Sequence, residues 1–376
     1  MKREARIPRA DWPRKVEDLG FTFHTFDGEV YWDERAAYRF DAEEVDTLEA
    51  ATAELHGRCL DAVRHVVERG DYGRLRIPEA FHGYIERSWR DAEPSLYGRM
   101  DLSWDGTGDP KLLEYNADTP TALLEASVVQ WYWMQECESG MDQLNSIHEK
   151  LIARWGEMRS GLPADGRVYF TCESDSLEDQ GTVDYLRDTA QQAGLTPLAI
   201  DIADIGWDGK RFVDLDEQPM RALFKLYPWE WMVREAFGAN LLTQAMRVVE
   251  PPWKMLLSNK GILLILWELF PDHPNLLAAS FEPGRFATDY VKKPLYSREG
   301  ANVTIARAGA TLAADGDYGA EGFVWQADHP LPRFDGNYTV IGSWVVGDAP
   351  AGIGLREDDS PITRNSSRFV PHYFEP

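Results

Sequence analysis

Apolar and polar residues alternate along this chain with two different periods, and the switches between them mark out its elements. Over residues 42–70, Leu48, Ala51, Leu55, Cys59, Ala62, Val63, Val66 and Val67 recur at helical spacing behind Asp41, a residue type that caps helices. Residues 76–92 carry a further helical pattern starting near Pro78. Period two takes over at about 98–116, where Asp105-Gly-Thr-Gly-Asp-Pro110 reads as a turn between two strands. Thr119-Pro120-Thr121 is a suitable helix start, and one long helix is expected from Thr121 to beyond Glu136, continuing as 143–158. Residues 1–40 hold no sustained period; irregular structure with short strands such as 21–24 and 29–32 is expected there.

From Gly166 the pattern changes again. Residues 167–172 read as a buried strand, 179–193 as a helix ended by Gly194, and 197–201 as a second strand. Such a β-α-β unit predicts a parallel α/β layer. Residues 251–270 hold a helix ending before Pro271, and strand-like runs follow at 290–293, 302–306, 322–326, 338–346 and 353–356. This last region is expected to be antiparallel α+β. No internal repeat is visible.

At 376 residues, two or three sub-domains are expected, and fourteen tryptophans point to thickly packed cores. The formal net charge of −24 argues against sequence-independent nucleic-acid binding, which needs a basic footprint, and would attract cationic partners such as amines. The same charge is also compatible with a solubilising role alone. Cys59, Cys137 and Cys172 lie far apart, as expected for thiols packed as small apolar residues in a reducing compartment. The basic N-terminus lacks the apolar core of a secretory signal. The most apolar run, 261–270, is too short to span a bilayer and carries Glu268. A cytoplasmic protein without membrane contact is expected.

The 98–116 hairpin concentrates the chemistry. Alternation puts Arg99 with Asp101 and Glu114 with Asn116 on one face. A register symmetric about the turn sets Asp101 opposite Glu114 and Arg99 opposite Asn116. Like charges directly opposite are destabilising unless a cation sits between them, and this oxygen set suits Mg²⁺ bound together with phosphates. A surface hairpin with solvated acids is the other reading. The loop Glu173-Ser-Asp-Ser-Leu-Glu178-Asp179 has no glycine fingerprint and no lysine, so it would repel phosphate and welcome a cation; an acidic helix start complementing the macrodipole explains it equally well.

Common nucleotide and hydrolase motifs are absent, and the eight histidines are scattered. What remains is a spread set at element ends: Lys260 at a helix entrance, Lys293 at a strand end, the loop Ser297–Asn302 and Gln326 closing a strand. Solvated lysines explain each singly. Together they could serve phosphoryl transfer, in which cations neutralise a triphosphate and arginine stabilises developing charge.

Four blocks, Glu114-Tyr-Asn-Ala-Asp-Thr-Pro, Ser258-Asn-Lys-Gly-Ile-Leu, Lys293-Pro-Leu-Tyr-Ser-Arg-Glu-Gly-Ala-Asn and Arg356-Glu-Asp-Asp-Ser, resemble in order the synthetase domain of glutathionylspermidine synthase and its stand-alone acid–amine ligase relatives. The resemblance runs from about Arg99 to the C-terminus and extends to the first hundred residues. It implies an ATP-grasp fold in circularly permuted order, the metal hairpin preceding the lysines, with an inserted parallel α/β, pre-ATP-grasp-like layer. The implied division is 1–160 with the hairpin, 165–250 as the substrate-binding layer and 251–376 as the nucleotide-binding region. The implied activity is ATP- and Mg²⁺-dependent amide formation from a small-molecule acid and an amine, possibly a polyamine, through an acyl phosphate.

Carried over by position, Arg99 contacts ATP and the acid and stabilises the transition state, and Arg356 faces the acyl phosphate. Asp101, Glu114 and Asn116 hold Mg²⁺, with Asp101 also at ATP. Lys260, Lys293, Glu299, Gln326, Ala327, Pro361 and Ile362 surround the nucleotide. Thr119 matches a hydroxyl at the acid site, and Glu178–Asp179 the position that receives the amine. The N-terminal amidase of bifunctional relatives is not expected. Where the glutathione-using synthetase has a substrate-binding threonine this chain offers Leu226, which loses a hydrogen bond to the acid and counts against glutathione. Two other classes stay open: an ATP-binding sensor or scaffold, and a phosphotransferase that releases the phosphorylated acid. The two arginines argue against the first, since holding ATP does not require them at the reacting phosphate.

Overall fold

A computed structural model describes residues 1–26 and 28–376. Its centre is a six-stranded antiparallel sheet. Strands Arg368–Val370, Ala349–Asp358, Asn337–Val346, Tyr97–Ser103 and Lys111–Asn116 lie side by side in that order, and Arg333–Phe334 pairs with Asn337–Val346. Period-two alternation gives the sheet two unlike faces. Met100, Leu102, Ile341, Val345, Ile353 and Leu355 point into a core shared with Leu48 and Leu55 of helix Ala42–Arg69. The other face carries Arg99, Asp101, Glu114, Asn116 and Arg356, because each stands at a same-face register position.

Helix Ala42–Arg69 starts and stops where its sequence says it must. Asp41 and Glu44 form a reciprocal capping box, and Gly70 closes the helix at φ +66°, in the left-handed region. A second antiparallel sheet orders its strands Ala279–Ser280, Phe323–Ala327, Tyr290–Pro294, Thr304–Arg307 and Ala310–Ala313. A four-stranded parallel sheet, in the order Arg247–Val249, Ala222–Lys225, Arg167–Thr171, Thr196–Ala199, contains the expected β-α-β unit with helix Leu177–Gln192 as its crossover. Both ends of the chain meet in a small sheet of Lys2–Ala5, Ala36–Phe40 and His372–Phe374.

Three expectations need correction. The single helix from Thr121 to 158 is two: helical backbone begins at Leu123, passes through a π-turn at Glu125–Val129, ends at Cys137, and resumes only at Ile147–Met158. Ala122 at φ +65° keeps the Thr121 start non-helical, and Gly140 at φ +93° marks the later break. Residues 21–24 are not a strand; Phe21 and Phe23 are buried in an aromatic cluster, and a short hairpin pairs Thr25–Phe26 with Glu29–Val30. Cys137 is exposed, whereas Cys59 and Cys172 are buried; all three are free thiols. Among the described residues, no helix is long and apolar enough to cross a membrane.

Candidate active site

The hairpin has the register that its alternation predicts: Asp101 opposite Glu114 and Arg99 opposite Asn116. Asn116 Nδ2 lies 3.3 Å from both Asp101 Oδ2 and Glu114 Oε1, so two carboxylates and an amide converge. Each acid has its own cation. Arg99 Nε donates to Asp101 Oδ1 at 2.7 Å and Nη2 to Oδ2 at 3.2 Å, while Lys260 Nζ lies 2.8 Å from Glu114 Oε2. Burial pushes the Glu114 carboxyl up, but Lys260 and Lys293 outweigh it and hold the group at about 2.

A bulge just beyond this pair, where Leu102 pairs with Leu112, leaves Leu113 as the extra residue. Carbonyls freed there receive side chains from the second sheet. Lys293 Nζ donates to Leu113 O and to Gln326 Oε1, both at 2.7 Å, and Gln326 Nε2 donates to Leu112 O at 3.1 Å. The two antiparallel sheets thus meet edge to face around an open cleft of ≈ 810 Å³. Asp101, Glu114, Lys260, Lys293, Glu299, Gln326, Ala327, Pro361 and Ile362 all line it. Val291, Ile305 and Leu331 give it an apolar wall. Gly300 sits at φ +71°, where a Cβ would lie 2.5 Å from Thr363 O, so the 297–302 loop packs tightly on the 361–363 segment at the cleft mouth.

Arg99 and Arg356 line an adjoining recess that shares Asp101, Val340 and Thr363 with the cleft. Its floor is Gly342 and Gly354, paired across two strands. A Cβ on Gly342 would stand 2.8 Å from Arg99 Cδ, so the arginine lies flat over bare backbone. Arg99 Nη1 also donates to Thr121 O at 2.6 Å. Arg356 Nη2 donates to Arg364 O, and its buried Nε has no partner.

Glu178 and Asp179 open helix Leu177–Gln192 under the Ser176 cap. Burial pushes both carboxyls up, Asp179 to about 7 with Glu178 adding to its shift; Arg356 and the Thr121 hydroxyl pull Glu178 the other way. The acidic pair therefore stands beside the arginine recess. Thr119 lines neither cavity; it follows Asp118, which is pinned by Lys225 and the Trp229 amide. Leu226 is buried, and its amide donates to Thr171 O at 2.8 Å.

Several lining groups escaped the sequence reading. Arg307 and Asp328 form an ion pair in the cleft, with Nη2 and Oδ1 2.8 Å apart, and behind the recess the Thr121 carbonyl accepts from Arg99 Nη1. Strand-end charges such as these carry no periodic signal. Thr121 could have been found by counting two residues on from Thr119 along the exit of the hairpin.

Among the described residues, no cluster of three or more His, Cys, Asp and Glu has metal-holding geometry. Two carboxylates and an amide make a short oxygen set, which fits an ion that keeps waters and phosphate oxygens, as Mg²⁺ does. The Asn116 amide would turn its oxygen toward such an ion.

A family profile described as glutathionylspermidine synthase preATP-grasp matches residues 3–375. The chain belongs to the glutathionylspermidine synthase family. Within it, a Haemophilus influenzae protein named "Putative acid--amine ligase" is 44% identical over 394 residues, covering 100% of both chains. The trypanothione synthetase of Crithidia fasciculata is 30% identical over 84% of this chain, and the bifunctional glutathionylspermidine synthetase/amidase of Escherichia coli 27% identical over 85%. This chain spans 53% and 56% of the lengths of those two, about half of each. These family members are named as ligases and synthetases, and the chain is an enzyme of that class. A glutathione synthetase-like effector from Globodera pallida shares the fold, with TM-score 0.59 at 11% identity over 97% of this chain and 96% of its own.

Proposed function

We propose that this protein is an ATP- and Mg²⁺-dependent acid–amine ligase with an ATP-grasp fold in circularly permuted order. The observation that carries the reading is a cleft between two antiparallel sheets whose lining includes Asp101, Glu114, Lys260, Lys293, Glu299, Gln326, Ala327, Pro361 and Ile362 and which is continuous through Asp101 with the arginine recess. Gln326, Ala327 and the apolar wall would take the base. Lys260 and Lys293, both buried, would meet the phosphates, and the loop carrying Glu299 would close over them. Asp101, Glu114 and Asn116 would hold Mg²⁺, which neutralises charge on the triphosphate.

Arg99 and Arg356 share one sheet face at the end of this row and would stabilise charge on the phosphoryl group as it passes to the acid. Thr119 is assigned to the acid, with Leu226 counting against glutathione. Glu178 and Asp179 would bind the cationic amine beside the arginines, and one of them would accept its proton.

The test measures ADP release with enzyme, ATP and Mg²⁺ across pools of acids with and without amines, with mass spectrometry of the products. Amine-stimulated ADP release with an amide product is the expected result. ADP release indifferent to amine marks a phosphotransferase, and ATP binding without release marks a sensor; either result overturns the reading.

A further inference from the structure

The proposed reaction gives Lys260 a phosphate to meet but leaves the residue that holds this lysine without a role. Lys260 is fastened twice to the segment that follows strand Tyr290–Pro294. Its amide donates to Leu295 O at 2.9 Å, and its Nζ donates to Ser297 O at 2.7 Å. The same Nζ lies 2.8 Å from Glu114 Oε2. Ser297 thus stands one hydrogen bond from the lysine and two from the metal hairpin. It lines the cleft and is 4% exposed. Its hydroxyl oxygen is buried and has no hydrogen-bond partner.

A buried hydroxyl left unpaired is costly, and serine ordinarily avoids that by bonding to main chain nearby. Here its own carbonyl already serves Lys260. The backbone is held on both sides: Leu295 N donates to Gly322 O at 3.1 Å, Ala301 N donates to Arg298 O at 2.9 Å, and Gly300 is wedged against Thr363. A fixed segment therefore presents a donor with no acceptor of its own.

The surroundings define which acceptor suits it. Lys260 and Lys293 both line the cleft, and the carboxylates Asp101 and Glu114 already have cations. A ligand that completes this arrangement brings negatively charged oxygens, to which a hydroxyl donates more strongly than to neutral ones. Lys293 is bonded to Gln326, beside the wall that would take the base, whereas Lys260 is bonded to Glu114. Ser297 lies on the Lys260 side, where the far part of a triphosphate would come.

We propose that the Ser297 hydroxyl is a further ligand-binding group of this cleft, donating to a phosphate oxygen beyond the α-phosphate while the Ser297 carbonyl holds Lys260 within reach of the same phosphate. The assignment rests on the reading of the cleft as a nucleotide site. It sets the two states of the protein apart. The hydroxyl makes no bond before nucleotide arrives, so its removal leaves the free protein as stable as before. In the complex the same removal deletes a charge-assisted hydrogen bond.

The test is Ser297→Ala in the full chain. Without ligand, its melting temperature should match or exceed that of the wild type. Calorimetry with Mg²⁺ and ADP, and with a non-hydrolysable ATP analogue, should show affinity lower by about tenfold or more. The rise in melting temperature that these nucleotides produce should shrink accordingly. AMP, competing against the ATP analogue, should bind variant and wild type equally. Ser297→Gly removes the same hydroxyl and decides the matter if Ser297→Ala does not fold. A lower melting temperature of the free variant makes the hydroxyl a structural group and overturns the assignment. So does an equal loss with AMP. If the wild type takes up neither ADP nor the analogue, the nucleotide reading of the cleft falls and the assignment with it. If the wild type binds them and the variant binds as tightly, the assignment alone falls.

Discussion

Asp101 and Glu114 face each other at one register position, and each carboxylate is matched by a cation from a different source, Arg99 on its own strand and Lys260 from a helix entrance. A bare pair of acids across a ladder would push the strands apart. Here the counter-charges are the same groups that the phosphates and metal of the proposed reaction would engage. The hairpin therefore holds its repulsion in check with side chains free to change partners.

Replacing Glu114 by Gln tests both parts of that arrangement. Mg²⁺ dependence should weaken by more than the roughly 10–100-fold typical of losing an outer-shell partner. Stability should respond to pH in a defined window. The folded pKa, about 2, lies below the ordinary 4.5, so the unfolded state binds the proton first as pH falls. The contribution of Glu114 is complete above about 4.5 and is lost as pH drops through 2. Glu114→Gln should flatten that part of the urea-unfolding profile; an unchanged slope contradicts the Lys260–Lys293 account.

Lys293 should give a slope of the same sign in a more alkaline window. Burial, with Lys260 adding to it, lowers its pKa to about 8 against Glu114 and Asp101. Between about 8 and the ordinary 10.5 the unfolded chain holds a proton that the folded one lacks, so this group makes stability rise with pH across that window. Phosphates would restore the charge. ATP binding is therefore expected to take up protons near pH 8 and to weaken above it. Lys293→Met should abolish the proton uptake in calorimetry and lower affinity, leaving the Leu113 and Gln326 oxygens without their donor.

Gly342 and Gly354 are paired on the site face yet should tolerate alanine differently. At Gly342 the new Cβ meets Arg99 Cδ at 2.8 Å, a flexible chain that can lift away. At Gly354 it meets the Phe369 ring at 2.6 Å, and that ring is buried and stacked on Trp32. Gly342→Ala should keep its fold but lose on the order of 100-fold in turnover, since a displacement of about 1 Å at a reacting group has that scale. Gly354→Ala should lose about 1–3 kcal/mol of stability through overpacking. Thermal melts and steady-state rates of the two variants separate these outcomes.

The sequence was readable where a period ran over an unlike pair of faces. Arg99, Asp101, Glu114 and Asn116 announced their register because one face of the sheet is core and the other is polar, so a one-residue slip would have buried the acids. The β-α-β unit was readable because its buried strands and helix differ in period. The π-turn at 125–129 was misread because it lies in an apolar run, and apolar composition alone does not fix helical phase; the break at 138–146 is polar and holds Gly140, a turn signal passed over in joining two helical patterns. Glu125 left a trace in the π-turn, a single acid between Leu124 and Ala126, but its hydrogen-bond partner, Tyr31, lies far away in the chain. Strand Ala36–Phe40 was missed because it is held by pairing with His372–Phe374 at the other end of the chain, and helix Trp12–Glu17, at six residues, is too short to show a period.

The last prediction concerns the turn that carries Thr119. Lys225 Nζ meets Asp118 Oδ1 at 2.6 Å and Tyr227 O at 2.9 Å, and the Trp229 amide donates to Asp118 Oδ2 at 2.8 Å. The lysine also lies 4.5 Å from the Trp229 ring centroid, and both members of the pair are buried. This clamp fastens the exit of the metal hairpin to the parallel layer, so it couples the two halves of the proposed site. Removing one partner strands the other charge in the interior and should cost about 3–5 kcal/mol. Lys225→Met and Asp118→Asn are each expected to lower the urea midpoint strongly. The double variant should recover part of the loss, because no ion is left unpaired. If the acid site depends on this clamp, the double variant will bind ATP normally but need more acid substrate for half-maximal ADP release. Equal acid dependence in wild type and double variant limits the clamp to stability.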